Sequence, residues 1–284
     1  SMVKDKLLKR YRSDRFQTIY GLTQAGADWL FAQGIDAASS VRRVADMSNP
    51  EHRLWLQFLT LCCEARGLKA MTENELLSAL NAGKTYNDKQ TRTGILQVVT
   101  FVGGKGINRD LRPDALAEEE DGFTWFEVDR SKRGEEREAS LGALAKGVGR
   151  RLLGEKCLRR VVIFCKTERI MHRDIAILTK IAASTSEHSD IREGRSRLEV
   201  FGTNTLKVSR TIEKRYPDGR VSLVDMNAGY VMVQLLPTWL PKVRIDGRDG
   251  HSTSGWLTEN YLPYQRLDGM PQWAAPSSPL VPKG

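Results

Sequence analysis

Three acidic residues in the stretch LRPDALAEEEDGFTWFEVDRSKRGEE, 111–136, have the types and spacing of a metal site. Asp114 follows Pro113; Glu127 and Asp129 come after an acidic turn. The stretch reads as two strands, 112–118 and 123–130, with Asp121-Gly122 at the tip. Residues two apart on a strand share a face, so Glu127 and Asp129 lie beside Trp125, about 7 Å apart by strand rise. Phe126 and Val128 then face the opposite side, toward a core. With Asp114 paired across the hairpin, three carboxylates converge, and at least one pKa rises unless a cation enters. Mg2+ or Mn2+ suits such a set, with water and phosphate oxygens completing the shell. There it would activate water and stabilise the leaving oxygen of a phosphodiester. The plain alternative is a polar sheet edge, with Asp114 paired to Arg112 and Asp129 to Arg130 or Arg133.

The charge balance fits a polyanionic partner. The 284 residues carry a net charge of +9, with a pI near 9.4. Between 146 and 173 the chain holds nine Lys or Arg against Glu155 and Glu168, while 118–121 read EEED. Basic surface beside an acidic cluster suits a protein that holds phosphates and a metal together. A basic helix over 146–160 is the nucleic-acid candidate, with Lys146, Arg150, Arg151, Lys156, Arg159 and Arg160 touching phosphates without reading sequence. A solvated helix face explains the same run.

Other chemistry finds little footing. The histidines at 52, 172, 188 and 251 are far apart, and no serine sits in a G-x-S-x-G elbow. The glycines of VGGKGIN, 102–108, do not complete a phosphate-binding loop and read as a flexible strand end. Cys62, Cys63, Cys157 and Cys165 lack C-x-x-C spacing, so neither zinc nor a disulfide framework is expected. A reduced, cytoplasmic protein follows. No apolar run reaches a membrane span, and the charged start has no signal-peptide core.

Helical elements frame the hairpin. Residues 50–66 read as a helix that Pro50 opens and Gly67 ends. A second helix, 72–82, carries a capping box, Thr72 with Glu75. ILQVVTFV, 95–102, is a strand. A helix over 135–153 lines Leu141, Leu144, Ala145, Val148 and Leu152 on one face. A buried strand (158–166), a helix (172–184) and another strand (197–204) follow. Strand–helix–strand alternation implies a parallel crossover, hence an α/β fold with a mixed sheet. Beyond 205 a Pro-Asp-Gly turn joins strand-like runs, and the Pro/Ser-rich tail is expected to be disordered or draped over the surface.

RPDAL, a hairpin, FEVDRS, a helix and a hydrophobic strand together resemble the nuclease-like domain of the replication–relaxation family. These are bacterial proteins of plasmid replication, DNA relaxation and mobilisation. EHRLWLQFL, with GLTQAGADWL before it, adds to the resemblance, which spans about 18–202. It implies a restriction-endonuclease-like PD-(D/E)XK core, a mixed sheet flanked by helices, preceded in complete members by a winged helix. YGLTQAG and the helix after it are similar to the wing and following helix, so a partial winged-helix segment is expected at 1–48. The core takes 49–205, a β-rich extension 206–265 and a flexible tail 266–284. Asp114 and Glu127 match the metal-binding acids, with duplex DNA and a replication or mobilisation complex as implied partners. The family's lysine, two residues after the glutamate, is here Asp129, which is carried as a third metal ligand. Lys132, just past the strand, is the substitute cation. Without one, the chain is a non-catalytic DNA-binding or adaptor module.

Overall fold

The computed structural model describes residues 1–12, 18–41, 50–80, 96–102, 105–129, 135–153, 155–186, 196–236 and 262–276. Lys132, Arg130 and Arg133 lie outside the described residues. The chain forms two compact units, Ser1–Trp55 and Leu56–Gly284.

In the first unit, β1 (Leu8–Arg12) and β2 (Thr18–Leu22) pair antiparallel, and α1 (Gln24–Ala32) follows. Thr23 is the N-cap: its hydroxyl oxygen accepts from the Gly26 N–H at 3.0 Å, satisfying an amide that the helix leaves unpaired. Helix α2 (Pro50–Glu64) crosses the boundary between the units.

The second unit is built on an eight-stranded mixed sheet. Its strands are β3 (Lys69–Thr72), β6 (Ala115–Glu119), β7 (Gly122–Asp129), β8 (Arg151–Leu153), β9 (Lys156–Cys165), β10 (Ser196–Gly202), β11 (Thr205–Arg215) and β12 (Val221–Leu235). The order is β10-β11-β12-β9-β7-β6-β3, with β8 paired to β9. Strand β9 runs parallel to both β7 and β12, and the remaining pairs are antiparallel. The crossover from β7 to β9 is α4 (Glu135–Gly147), and α5 (Glu168–Ser186) follows β9. This is the mixed α/β architecture expected from the strand–helix–strand order.

The three strands expected before the crossover are differently arranged. Strand β4 (Leu96–Val102) pairs with β5 (Lys105–Leu111) in a separate two-stranded sheet, and the strand beside β6 is β3. The strand β5 therefore starts within VGGKGIN, where a flexible loop was expected. Beyond β3, Thr72 and Glu75 open α3 (Glu73–Leu80): Glu75 Oε2 accepts from both the Thr72 N–H and its hydroxyl at 2.7 Å.

Both sheet faces are covered. Trp125, Leu141, Leu144, Leu158, Val161, Leu178 and Val231 share one hydrophobic core, so α4 and α5 cover the face that includes Trp125. On the other face, Phe126 stacks with Phe164 at 6.2 Å between ring centroids and meets Tyr264 at 6.1 Å. Tyr264 belongs to a C-terminal strap, 262–276, which lies against this face. Arg66, just past α2, donates to the Ala274 carbonyl. Strap residues 266–276 fall in the segment expected to be a flexible tail.

Candidate functional site

The site builds from β7, whose residues are all buried. Alternation puts Trp125, Glu127 and Asp129 on the helix-covered face. The alternative of a polar sheet edge is therefore corrected: these acids lie beneath helices. A carboxylate there needs partners, since unpaired charge in a core costs several kcal/mol.

Asp129 finds two. Its Oδ2 lies 2.9 Å from Arg137 Nε on α4 and 3.0 Å from Arg173 Nη2 on α5. The Arg137 contact is mainly one of charge, since its Nε–H is not aimed to form a hydrogen bond. Arg137 Nη2 donates to Asp174 Oδ2 at 2.9 Å, and Arg173 closes the set on Asp174 Oδ1 at 3.2 Å. The Asp129 and Asp174 side chains are 0% exposed, and that of Arg137 is 2%. Burial alone would lower the Arg137 pKa, but Asp174 and Asp129 outweigh it and hold the guanidinium charged. Burial, then Asp174 and Asp129, pushes the Cys165 thiol up, leaving it a neutral core residue.

The other two acids take different partners. Glu127 Oε1 accepts from Trp125 Nε1 at 2.7 Å. Asp114 Oδ2 accepts from the Val128 N–H at 2.7 Å, and its own N–H donates to the Phe126 carbonyl at 3.0 Å. Asp114 thus extends the β6–β7 ladder by one side-chain bond. Arg112 pairs with Glu73 at 3.5 Å.

Two arginines lie on Asp129 Oδ2 and compete with a cation for that oxygen. Among the described residues no cluster of three or more His, Cys, Asp or Glu side chains is placed to hold a metal ion. The sequence reading missed Arg137, Arg173 and Asp174. A signal was present: Arg137 precedes Leu141 and Leu144, and Asp174 precedes Leu178, at helical spacing. A lone Arg and a lone Asp on facing apolar stripes suggest a buried pair.

The six basic candidates separate. The helix expected over 146–160 ends at Gly147, and the rest forms β8 and β9, so the six do not share one helix face. Lys146 and Arg150 are exposed. Arg151 is exposed and pairs with Glu155 at 3.0 Å. Lys156 pairs with Glu118 at 3.0 Å, which lowers the Glu118 pKa. Arg159 Nη1 donates to the carbonyls of Asn227 at 3.1 Å and Ala228 at 2.7 Å.

Arg160 is buried and ion-paired. Its side chain is 6% exposed and lies 3.2 Å from Glu119, with Asp121 on the same guanidinium. Arg160 Nε donates to the Tyr264 hydroxyl at 2.9 Å, and that hydroxyl donates to Glu119 Oε1 at 2.8 Å. Arg266 Nη2 adds a bond to Glu119 Oε2 at 2.8 Å while its guanidinium lies 3.6 Å from the Trp273 ring centre. Burial pushes the Glu119 pKa up, but Arg160, Thr124, Tyr264 and Arg266 outweigh it and hold it below the usual range.

The described residues contain no helix long and apolar enough to cross a membrane. In comparisons with known proteins the chain matches no family model, no curated protein and no solved structure.

Proposed function

We propose that the chain is a DNA-binding module on a restriction-endonuclease-like core whose catalytic chemistry has been replaced by ion pairing. The observation that carries this reading is Asp129, buried between Arg137 and Arg173 at the position where the resemblance calls for a lysine. A transition-state cation is replaced by an anion, and the nearby cations are engaged by Asp129 and Asp174. The hairpin β6–β7, the crossover α4 and the parallel strand β9 support the core assignment. The net charge of +9 supports a polyanionic partner, and the replication–mobilisation setting rests on the sequence resemblance.

One observation favours a metal-dependent deoxyribonuclease as the second reading. The Asp114 carboxylate sits on the Val128 amide, in the strand position between Glu127 and Asp129. The two readings part on incubation of supercoiled and linear DNA with magnesium, manganese or chelator, beside Glu127→Ala. The expected outcome is no cutting, with a gel shift that weakens as salt rises. Metal-dependent nicking that disappears in Glu127→Ala would overturn it.

A further inference from the structure

Strands β11 and β12 run past the sheet. The β10 ladder on β11 ends at Arg210, and the β9 ladder on β12 starts at Tyr230. From Thr211↔Asp225 to Arg215↔Val221 the two strands pair only with each other among the described residues. The resulting ribbon projects roughly 17 Å at strand rise. Tyr216-Pro217-Asp218-Gly219 closes it: Gly219 N–H donates to the Tyr216 carbonyl at 2.9 Å, and Gly219 has φ +84°. This is the turn that Pro-Asp-Gly favours, with glycine supplying the left-handed residue.

The ribbon has two chemically distinct faces. Directly paired residues share a face, so the even-numbered positions form one side. That side carries Arg210, Lys214 and Arg220 against one carboxylate, Asp218 in the turn, which pairs with Arg220. Tyr216 lies between its cations, with Lys214 Nζ 5.1 Å and the Arg220 guanidinium 5.6 Å from the ring centre. Ile212 and Met226 on the same side are 39% and 51% exposed. The odd side carries Glu213 and Asp225, which engage Arg215 and Thr211.

The even side also joins the basic end of α4. Arg210 donates to the Val148 carbonyl at 3.1 Å and the Lys146 carbonyl at 3.0 Å. Burial and then the charge of nearby Arg150 lower the Arg210 pKa. Lys146, Arg150, Lys214 and Arg220 therefore extend along one side of the second unit.

We infer that this ribbon is a DNA-docking arm whose even-numbered face, with Lys214 and Arg220 about Tyr216, lies against duplex DNA. The inference rests on the DNA-binding reading and names the surface that serves it. A two-stranded ribbon fits a major groove about 12 Å wide. Lys214 and Arg220 meet phosphates, while Ile212, Val224 and Met226 face the groove. Arg220 also bonds Asp218 at 2.6 Å in the turn, which holds it beside Tyr216.

The test is anisotropy on a fluorescent duplex of about 20 base pairs across a salt series, for the full chain, Lys214→Ala/Arg220→Ala and Arg215→Ala. In the double variant the slope of log affinity against log salt becomes shallower by nearly 2. Its affinity falls at least about tenfold near 0.1 M salt. Arg215→Ala, on the opposite face, stays within about twofold. Unchanged melting temperatures show that both variants fold. A wild-type slope in the double variant, or an equal loss in Arg215→Ala, overturns the arm while leaving DNA binding intact. Failure of the unsubstituted chain to bind DNA at low salt overturns the DNA-binding reading and the arm with it. A dimer that Ile212→Asp dissociates, with DNA binding unchanged, assigns the ribbon to a second copy and overturns the arm.

Discussion

Asp129 is held by arginines from two helices, so one side chain ties β7 to both α4 and α5. Replacing it with alanine leaves Arg137 buried with Asp174 as its remaining partner in the set. Loss of one partner from a buried pair costs about 3–5 kcal/mol. Asp129→Ala is therefore expected to lower stability by that order in urea denaturation. Asp129→Lys introduces the lysine of the pattern that the sequence resembles but sets a third cation against Arg137 and Arg173. It is expected to unfold more readily than Asp129→Ala and to gain no nuclease activity. A folded Asp129→Lys that nicks DNA with magnesium would show that the ion pairs are dispensable and the site is catalytic. The sequence placed Glu127 and Asp129 on one face correctly, because strand alternation is local. It did not reveal the arginines that neutralise Asp129: Arg173, for one, lies a helix and a strand farther along the chain.

At the scale of elements, the strap 262–276 joins the far end of the chain to the β6–β7 turn through one carboxylate. Glu119 holds Arg160, Arg266, Thr124 and the Tyr264 hydroxyl. Its folded pKa lies below the ordinary value, so its contribution to stability is complete above the unfolded pKa of about 4.3. That contribution is lost as pH falls through the lowered folded value. Glu119→Gln is expected to lower stability at pH 7 and flatten the decline on the acid side, read as melting temperature against pH. An acid limb as steep as that of the parent protein would remove Glu119 as its cause. Tyr264→Ala should cost about 3–5 kcal/mol, the range for removing a buried aromatic. Composition left the tail either disordered or draped over the surface, because Pro and Ser content describes local preference, whereas Tyr264 and Trp273 are fixed by contacts with distant residues. The Pro-Asp-Gly turn was legible because its geometry lies within four residues. Strand β3 was missed because four residues show too little alternation to separate a strand from a loop.

At the scale of the molecule, the two units differ in how much apolar surface they bury. The sheet unit encloses a continuous core from Leu76 to Val233. In Ser1–Trp55, Ala27 and Trp55 are buried, while Tyr20, Trp29, Phe31 and Ile35 are about half exposed or more. Burial of apolar side chains supplies most of the driving force for folding, and units of this length are marginal even when well packed. Stability should therefore divide at the unit boundary, and the smaller unit should open without the sheet. Native-state hydrogen exchange measures this amide by amide. The amides of β1, β2 and α1 are expected to exchange through openings of low free energy, with those of β7, β9 and β12 protected to the global limit. Equal protection in both sets would mean that the units unfold as one. Added DNA separates the functional alternatives in the same measurement. If the ribbon is the contact, slowed exchange is expected over 209–227 and near Lys146 and Arg150. Protection confined to β1, β2 and α1 would instead place the contact in the smaller unit, where the β1–β2 hairpin lies.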